Sequence, residues 1–298
     1  MFPFHLDLTF IGLKIIPQFE SIYFLISILA GFLIGRKRLL NAGLEQNWEE
    51  LSSFAYTCLL FAVIGTRLSH FLFWSFDIFI KNPLIVITPG VSGASIVGGL
   101  MAGFTAAYFL ARKKKYDFYK IFAAVSPAVL IAQSVGRVGC FLNGDAYGVY
   151  TSLPWGVRFP RYGYTFPTFK KSSIDCIAYV ESYYRGWPGI TETRSSPLHP
   201  TQLYEILGNM VLLGLILLVI KRFKNGKGSL KYVFFIHCGG YSLFRFLLQF
   251  LRTDKSQVIF GDIGILQIVL FAIFCYFLAA GIVLFVKSRD ANTIQTKV

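Results

Sequence analysis

Two arginines stand inside apolar runs, each with polar neighbours at a spacing that could serve chemistry. The first lies in Gly136-Arg137-Val138-Gly139-Cys140-Phe141-Leu142-Asn143-Gly144-Asp145-Ala146-Tyr147-Gly148, directly after the apolar residues 121–135. Ionisable groups at membrane depth are costly, and they usually line a cavity or a substrate path. The second is Arg245, which shares one helix face with Tyr241 and Gln249 at i−4 and i+4. A guanidinium stays charged and offers forked donors, which suits a phosphate or a carboxylate. Arg137 and Arg245 together would clamp one lipid phosphate, and Arg67 in Gly65-Thr66-Arg67-Leu68 is a third candidate cation. The plain alternatives are a snorkelling Arg137 and an Arg245 paired with a structural carboxylate, Asp145 or Glu205.

Two further stretches bear on the site. In Leu198-His199-Pro200-Thr201-Gln202-Leu203-Tyr204-Glu205, Thr201 can cap a helix and Glu205 falls near its first turn. That local role suffices for Glu205, and a functional role stays open beside it. His199 stands without a second histidine nearby and reads as a positioned loop residue, so no metal site is expected. The stretch Gly90 to Gly103 is rich in small residues, which permits close helix packing or makes room for an acyl chain or headgroup.

The elements that must position these groups are membrane helices. The chain has 298 residues, 55% of them hydrophobic, and its apolar runs are continuous rather than alternating. This predicts an all-α polytopic membrane protein and argues against a β-barrel. About seven spans are expected, at 17–35, 51–74, 91–111, 119–140, 202–220, 232–250 and 260–286. Each approaches the ~20 residues that cross a bilayer. The net charge of +14 sits in short runs between spans, which points to orientation and anionic lipid and not to nucleic acid. Basic clusters at 36–38, 112–115, 221–231 and 287–289 fall at alternate span ends. All can share the cytoplasmic side, with the N-terminus outside and the C-terminus inside. The N-terminus lacks a basic stretch ahead of an apolar core, so the first apolar segment is expected to remain as a helix. Residues 1–16 are too short to span and would lie in the interface.

The division follows: residues 1–140 hold an interfacial segment and four helices, 141–201 form an irregular, aromatic-rich extracytoplasmic head, and 202–298 hold three helices and a cytoplasmic tail. No CxxC pair occurs among the five cysteines, and no structural disulfide is expected.

With these residues in view, the chain resembles the prolipoprotein diacylglyceryl transferases of bacterial inner membranes. The resemblance rests on the glycine-rich signature 136–148, His199 to Glu205, Tyr241 with Arg245, Gly65 to Leu68, and Gly98-Gly99-Leu100. It implies transfer of the diacylglyceryl group of phosphatidylglycerol to the lipobox cysteine thiol of a secreted prolipoprotein, with release of glycerol phosphate. It implies catalytic roles for Arg137, Arg245, Tyr241 and Asp145. It implies phosphatidylglycerol binding by Arg137, Asn143, Gly148, Arg245, Gly98 and Gly99, with Glu205, Arg67 and Gln249 as accessories. No cofactor is implied. The partners are phosphatidylglycerol, prolipoprotein precursors and membrane lipids, the expected state is a monomer, and the expected location is the bacterial inner membrane.

The chain departs from the family pattern at several positions. Val97 stands where the family has histidine before Gly-Gly-Leu, Cys140 where asparagine is frequent, Asp145 where glutamate is frequent, and Gln249 where an acid is common. A first-helix tyrosine of the family aligns near Phe24, with Tyr23 adjacent. Loss of the histidine removes the clearest general base. The alternative reading is therefore a relative that binds phosphatidylglycerol or precursor without turnover.

Overall fold

The computed structural model describes residues 4–6, 19–41, 48–87, 95–166, 170–224, 230–254 and 258–295. In order they form β1 (Phe4–Leu6), α1 (Phe19–Asn41), α2 (Trp48–Trp74), α3 (Phe76–Lys81), a 3-10 turn (Pro83–Ile87), α4 (Ile96–Lys113) and α5 (Phe118–Asn143). Then come β2 (Tyr162–Phe166), β3 (Lys170–Asp175), α6 (Ile177–Tyr184), α7 (Thr201–Lys224), α8 (Lys231–Gln249), β4 (Val258–Phe260), β5 (Ile263–Gly264) and α9 (Ile265–Gln295).

The described residues are mostly helical. Four helices are long and apolar enough to cross a membrane: Ser52–Trp74, Phe118–Asn143, Thr201–Phe223 and Ile265–Val286. The other three expected spans also fall on helices, α1, α4 and α8, of 23, 18 and 19 residues. The start of the third expected span, 91–94, lies outside the described residues, and so do 1–3 and 7–16 of the expected interfacial segment. Residues 4–6 pair in parallel with 164–166 of β2, whose other neighbour is antiparallel β3. A second small sheet joins β4 and β5 just before α9.

Helix α5 is the centre of the bundle and packs against α1, α7 and α8. Its ends are set locally. The Asp117 carboxylate accepts from the Tyr119 and Lys120 amides at 2.9 and 3.2 Å, closing the N-terminus. Gly144 ends it in the left-handed region at φ 74°, where a side chain would be strained. Arg38 of α1 donates to the Ala124 carbonyl at 2.8 Å, in the turn disturbed by Pro127. The basic cluster after the first span is thus tied to α5.

Helices α2 and α4 form a second pair at close range. A Cβ on Gly98 would lie 1.8 Å from Ser69 Oγ and 2.5 Å from the Gly65 carbonyl oxygen, so the two backbones meet there. Helix α8 packs on α7 and α9. The main core joins Phe118, Ile121 and Phe122 of α5 to Leu212 and Ile216 of α7 and Val233 of α8.

Between α5 and α7 the chain keeps a core of its own. Phe141, Tyr147, Phe159, Cys176, Ala178, Tyr179 and Leu198 pack together. The Tyr147 hydroxyl donates to Glu181 Oε2 at 2.6 Å, and burial together with that carboxylate pushes the phenol up. Single bridges at Tyr150 and Val157 with Leu198, and at Pro160 with Arg194, tie this segment together beside the β2–β3 pair.

Candidate functional site

Arg137 lies in the last two turns of α5, Glu205 in the first turns of α7, and Arg245 and Tyr241 on the buried face of α8. The bundle brings them together. Arg137 Nε lies 3.0 Å from Glu205 Oε1, and Arg245 Nη1 lies 3.9 Å from Glu205 Oε2. Glu205 is 0% exposed, Arg245 4% and Tyr241 5%. Arg245 Nε and Nη1 and the Tyr241 hydroxyl have no hydrogen-bond partner among the described residues. Two buried cations therefore share one carboxylate, and donors remain over. Buried charge needs compensation, so this arrangement favours an additional anion. The plain reading of Arg245, a structural pair with Glu205, is part of this geometry; at 3.9 Å the contact is long and leaves donors of Arg245 open.

Asp145 and Asn143 flank the pair at the end of α5. Asn143 Nδ2 donates to Asp145 Oδ2 at 2.6 Å. Burial pushes the Asp145 carboxyl up, while Asn143, Cys140 and Arg137 pull it partly back. Arg137 Nη1 also reaches Cys140 Sγ at 3.7 Å. Gly148 lies where three segments cross. Its amide donates to the His199 carbonyl at 2.9 Å, and a Cβ there would lie 2.5 Å from the Leu251 oxygen. Only glycine fits that approach.

Gln249 is buried, and its Nε2 donates to the Asp254 carbonyl at 3.1 Å. Arg67 is held elsewhere. It donates from Nε to the Val86 carbonyl at 3.2 Å and packs over Phe71, 5.6 Å from the ring centre. Those contacts fix the turn after α3. Gly98 and Gly99 face α2, where a methyl would strike Ser69 or Thr66. Close helix packing accounts for both. Val97 is buried against Leu266 and Leu270 of α9. The side chain of Phe24 lies outside the described residues, and Tyr23 packs on Gly139.

Sequence reasoning passed over a third buried arginine. Arg252 pairs with Asp254, 2.5 Å from Nη2 to Oδ2, and donates from Nη1 to the Ala146 carbonyl at 3.1 Å. Burial works against ionisation of Asp254, but Arg252 holds its carboxyl below the ordinary range. The floor beneath the arginines is polar as well. Gln202 and Asn209 share the Glu205 face of α7, and Gln133 and Ser134 lie one turn below Arg137 on α5. Asn209 Nδ2 donates to Ser134 Oγ at 3.4 Å. The signal was there: polar residues at helical spacing inside apolar runs.

The chain also matches known proteins. Residues 15–286 match the model of the prolipoprotein diacylglyceryl transferase family. The chain belongs to that family. Similar curated proteins are named phosphatidylglycerol–prolipoprotein diacylglyceryl transferase. The one from Geobacter sulfurreducens is 28% identical over 85% of this chain and 81% of its own length. That from Idiomarina loihiensis is 29% identical over 85% and 79%, and that from Erwinia tasmaniensis is 28% identical over 86% and 89%. The family match spans α1 to α9, so both arginines and Glu205 fall within it.

Proposed function

We propose that this chain transfers the diacylglyceryl group of phosphatidylglycerol to the lipobox cysteine thiol of prolipoproteins. The observation that carries it is the sharing of one buried carboxylate, Glu205, by Arg137 and Arg245. The phosphate of the lipid takes up the open donors of Arg245 and Tyr241. When a thiolate attacks the glyceryl carbon, charge grows on the departing phosphate oxygen, and fixed guanidinium groups stabilise it without reorganising. Tyr241, Asn143 and Asp145 border this position, and Gly148 and Arg252 hold the loops around it. Both arginines come from one chain, so a monomer suffices.

In the bilayer, α1, α2, α4, α5, α7, α8 and α9 form seven spans, with the N-terminus outside and the C-terminus in the cytoplasm. The segment 141–201 forms an extracytoplasmic head between 1–140 and 202–298. The charge pattern of the loops supports that orientation. Exposed Trp155, Tyr183 and Tyr184 suit a headgroup-level surface.

A second reading, binding without turnover, draws on Val97, which puts an apolar side chain where a base would be of use. Mass measurement of a lipobox peptide incubated with purified protein and phosphatidylglycerol separates the two. A diacylglyceryl mass gain supports transfer; bound lipid with an unchanged peptide supports the second reading.

A further inference from the structure

One more polar side chain extends the arginine face of α8. His237 precedes Tyr241 by four residues and Arg245 by eight, so the three form a stripe about 12 Å long. His237 is 1% exposed. Its Nδ1 lies 2.7 Å from Ser126 Oγ of α5. Phe104 and Phe122 hold the ring edge-on, with centroids 5.6 and 5.3 Å away. Its Nε2 has no hydrogen-bond partner among the described residues, and neither has the Tyr241 hydroxyl. Both residues border one cavity of about 310 Å³, and Val97 lies on the wall of the same cavity.

A buried imidazole with one open nitrogen is costly where a phenylalanine would pack without penalty. The remaining titratable groups on the wall are Tyr108 from α4 and Cys238 and Tyr241 from α8. No acidic, lysine or arginine side chain borders the cavity among the described residues. Phenols and thiols are acids, not neutral bases, near neutrality. His237 is thus the neutral base that faces this space.

We infer that His237 is the proton acceptor of the reaction, reached from the acceptor thiol through the Tyr241 hydroxyl. This rests on the function proposed above. The sulfur–carbon bond forms as the carbon–oxygen bond to phosphate breaks, and the electron pair leaves on the phosphate oxygen. The thiol proton passes to the Tyr241 oxygen while the Tyr241 proton passes to His237 Nε2. A water lodged between the two side chains would carry that proton. In the tautomer whose Nδ1–H donates to Ser126 Oγ, the lone pair is on Nε2, the nitrogen without a partner among the described residues. The imidazolium then returns its proton to the departing glycerol phosphate. A base at 237 serves the same cavity that a side chain at 97 borders, which accounts for a tolerated valine.

The test uses the purified full-length protein, phosphatidylglycerol and a lipobox peptide, with peptide mass as the readout. His237→Phe and His237→Gln should each lower kcat by roughly 10²–10⁴-fold, the range of general base catalysis. The apparent KM for phosphatidylglycerol should change little. Val97→His in the His237→Phe background should recover tenfold or more, which a packing role at 237 would not permit. Parent-like kcat in either single variant, or loss that Val97→His does not recover, overturns the inference. A parent that makes no product overturns the proposed function itself, and the inference with it.

Discussion

Arg245 reaches the Glu205 oxygen that Arg137 leaves free, from a different helix and at 3.9 Å. The longer contact marks Arg245 as the arginine less committed to the protein. Its Nε and Nη1 remain without hydrogen bonds among the described residues, as does Arg137 Nε, but Arg137 lies closer to Glu205, at 3.0 Å. An arriving phosphate would therefore draw first on Arg245, with Arg137 completing the clamp.

Arg137→Ala and Arg245→Ala should each lower transfer by about 10²-fold or more, in line with loss of one preorganised donor to a developing anion. Lysine at either position should restore little, because the planar fork is lost. Peptide mass, measured on variants that still insert and accumulate, checks this. Near-parent rates in both alanine variants would remove the clamp.

Glu205→Gln should act in the opposite sense on anion binding. It strips two buried cations of their shared partner, and breaking a buried pair typically costs about 3–5 kcal/mol. The variant should melt earlier than the parent, and glycerol phosphate should raise its melting temperature by more than it raises the parent's. Melting curves with and without that anion decide the point. Equal shifts in both proteins would mean that Glu205 does not compete with the ligand.

Gly98→Ala should cost folded protein rather than catalysis. Its Cβ would lie 1.8 Å from Ser69 Oγ and 2.2 Å from Ser69 Cβ, so trimming the serine hydroxyl offers no escape. The α2–α4 pair must spread, and yield in membranes should drop. A well-expressed variant with raised KM alone would instead point to a lipid contact at Gly98.

Much of this site could be read along the chain, and the limits are physical. Arg137, Tyr241 and Arg245 stood out because a charge in an apolar run breaks a local rule, and their spacing fixed a face. The ends of α5 were equally local, set by Asp117 and Gly144. Arg67 broke the same rule, yet its partners are carbonyls of residues 85 and 86 in a turn whose course the chain pattern does not reveal. Arg252 escaped notice because it follows α8 in a polar loop, where a charge is ordinary. Its burial comes from the pairing of Gly148 with Arg252, a contact between distant segments. His237 carries no motif at all, and its partner Ser126 is 111 residues away.

His199 gives a pH dependence with a defined sign. It lies outside the spans, its Nδ1 is 3.1 Å from the Tyr204 hydroxyl, and burial lowers its pKa from the ordinary value. In the unfolded chain it titrates near about 6.5. Above that value both states are neutral, and the stability is fully present. As pH falls below it, the unfolded state takes up a proton that the folded state resists, so stability declines until the folded value is passed. The junction between the head segment and α7 should weaken first, because the backbone of residue 199 also pairs with Gly148 and Val149. Melting temperature followed from pH 8 to pH 5 should fall below about 6.5 in the parent. His199→Asn should start from a lower plateau and lose that part of the slope. A parent and a variant with parallel pH profiles would show that His199 is not the group responsible.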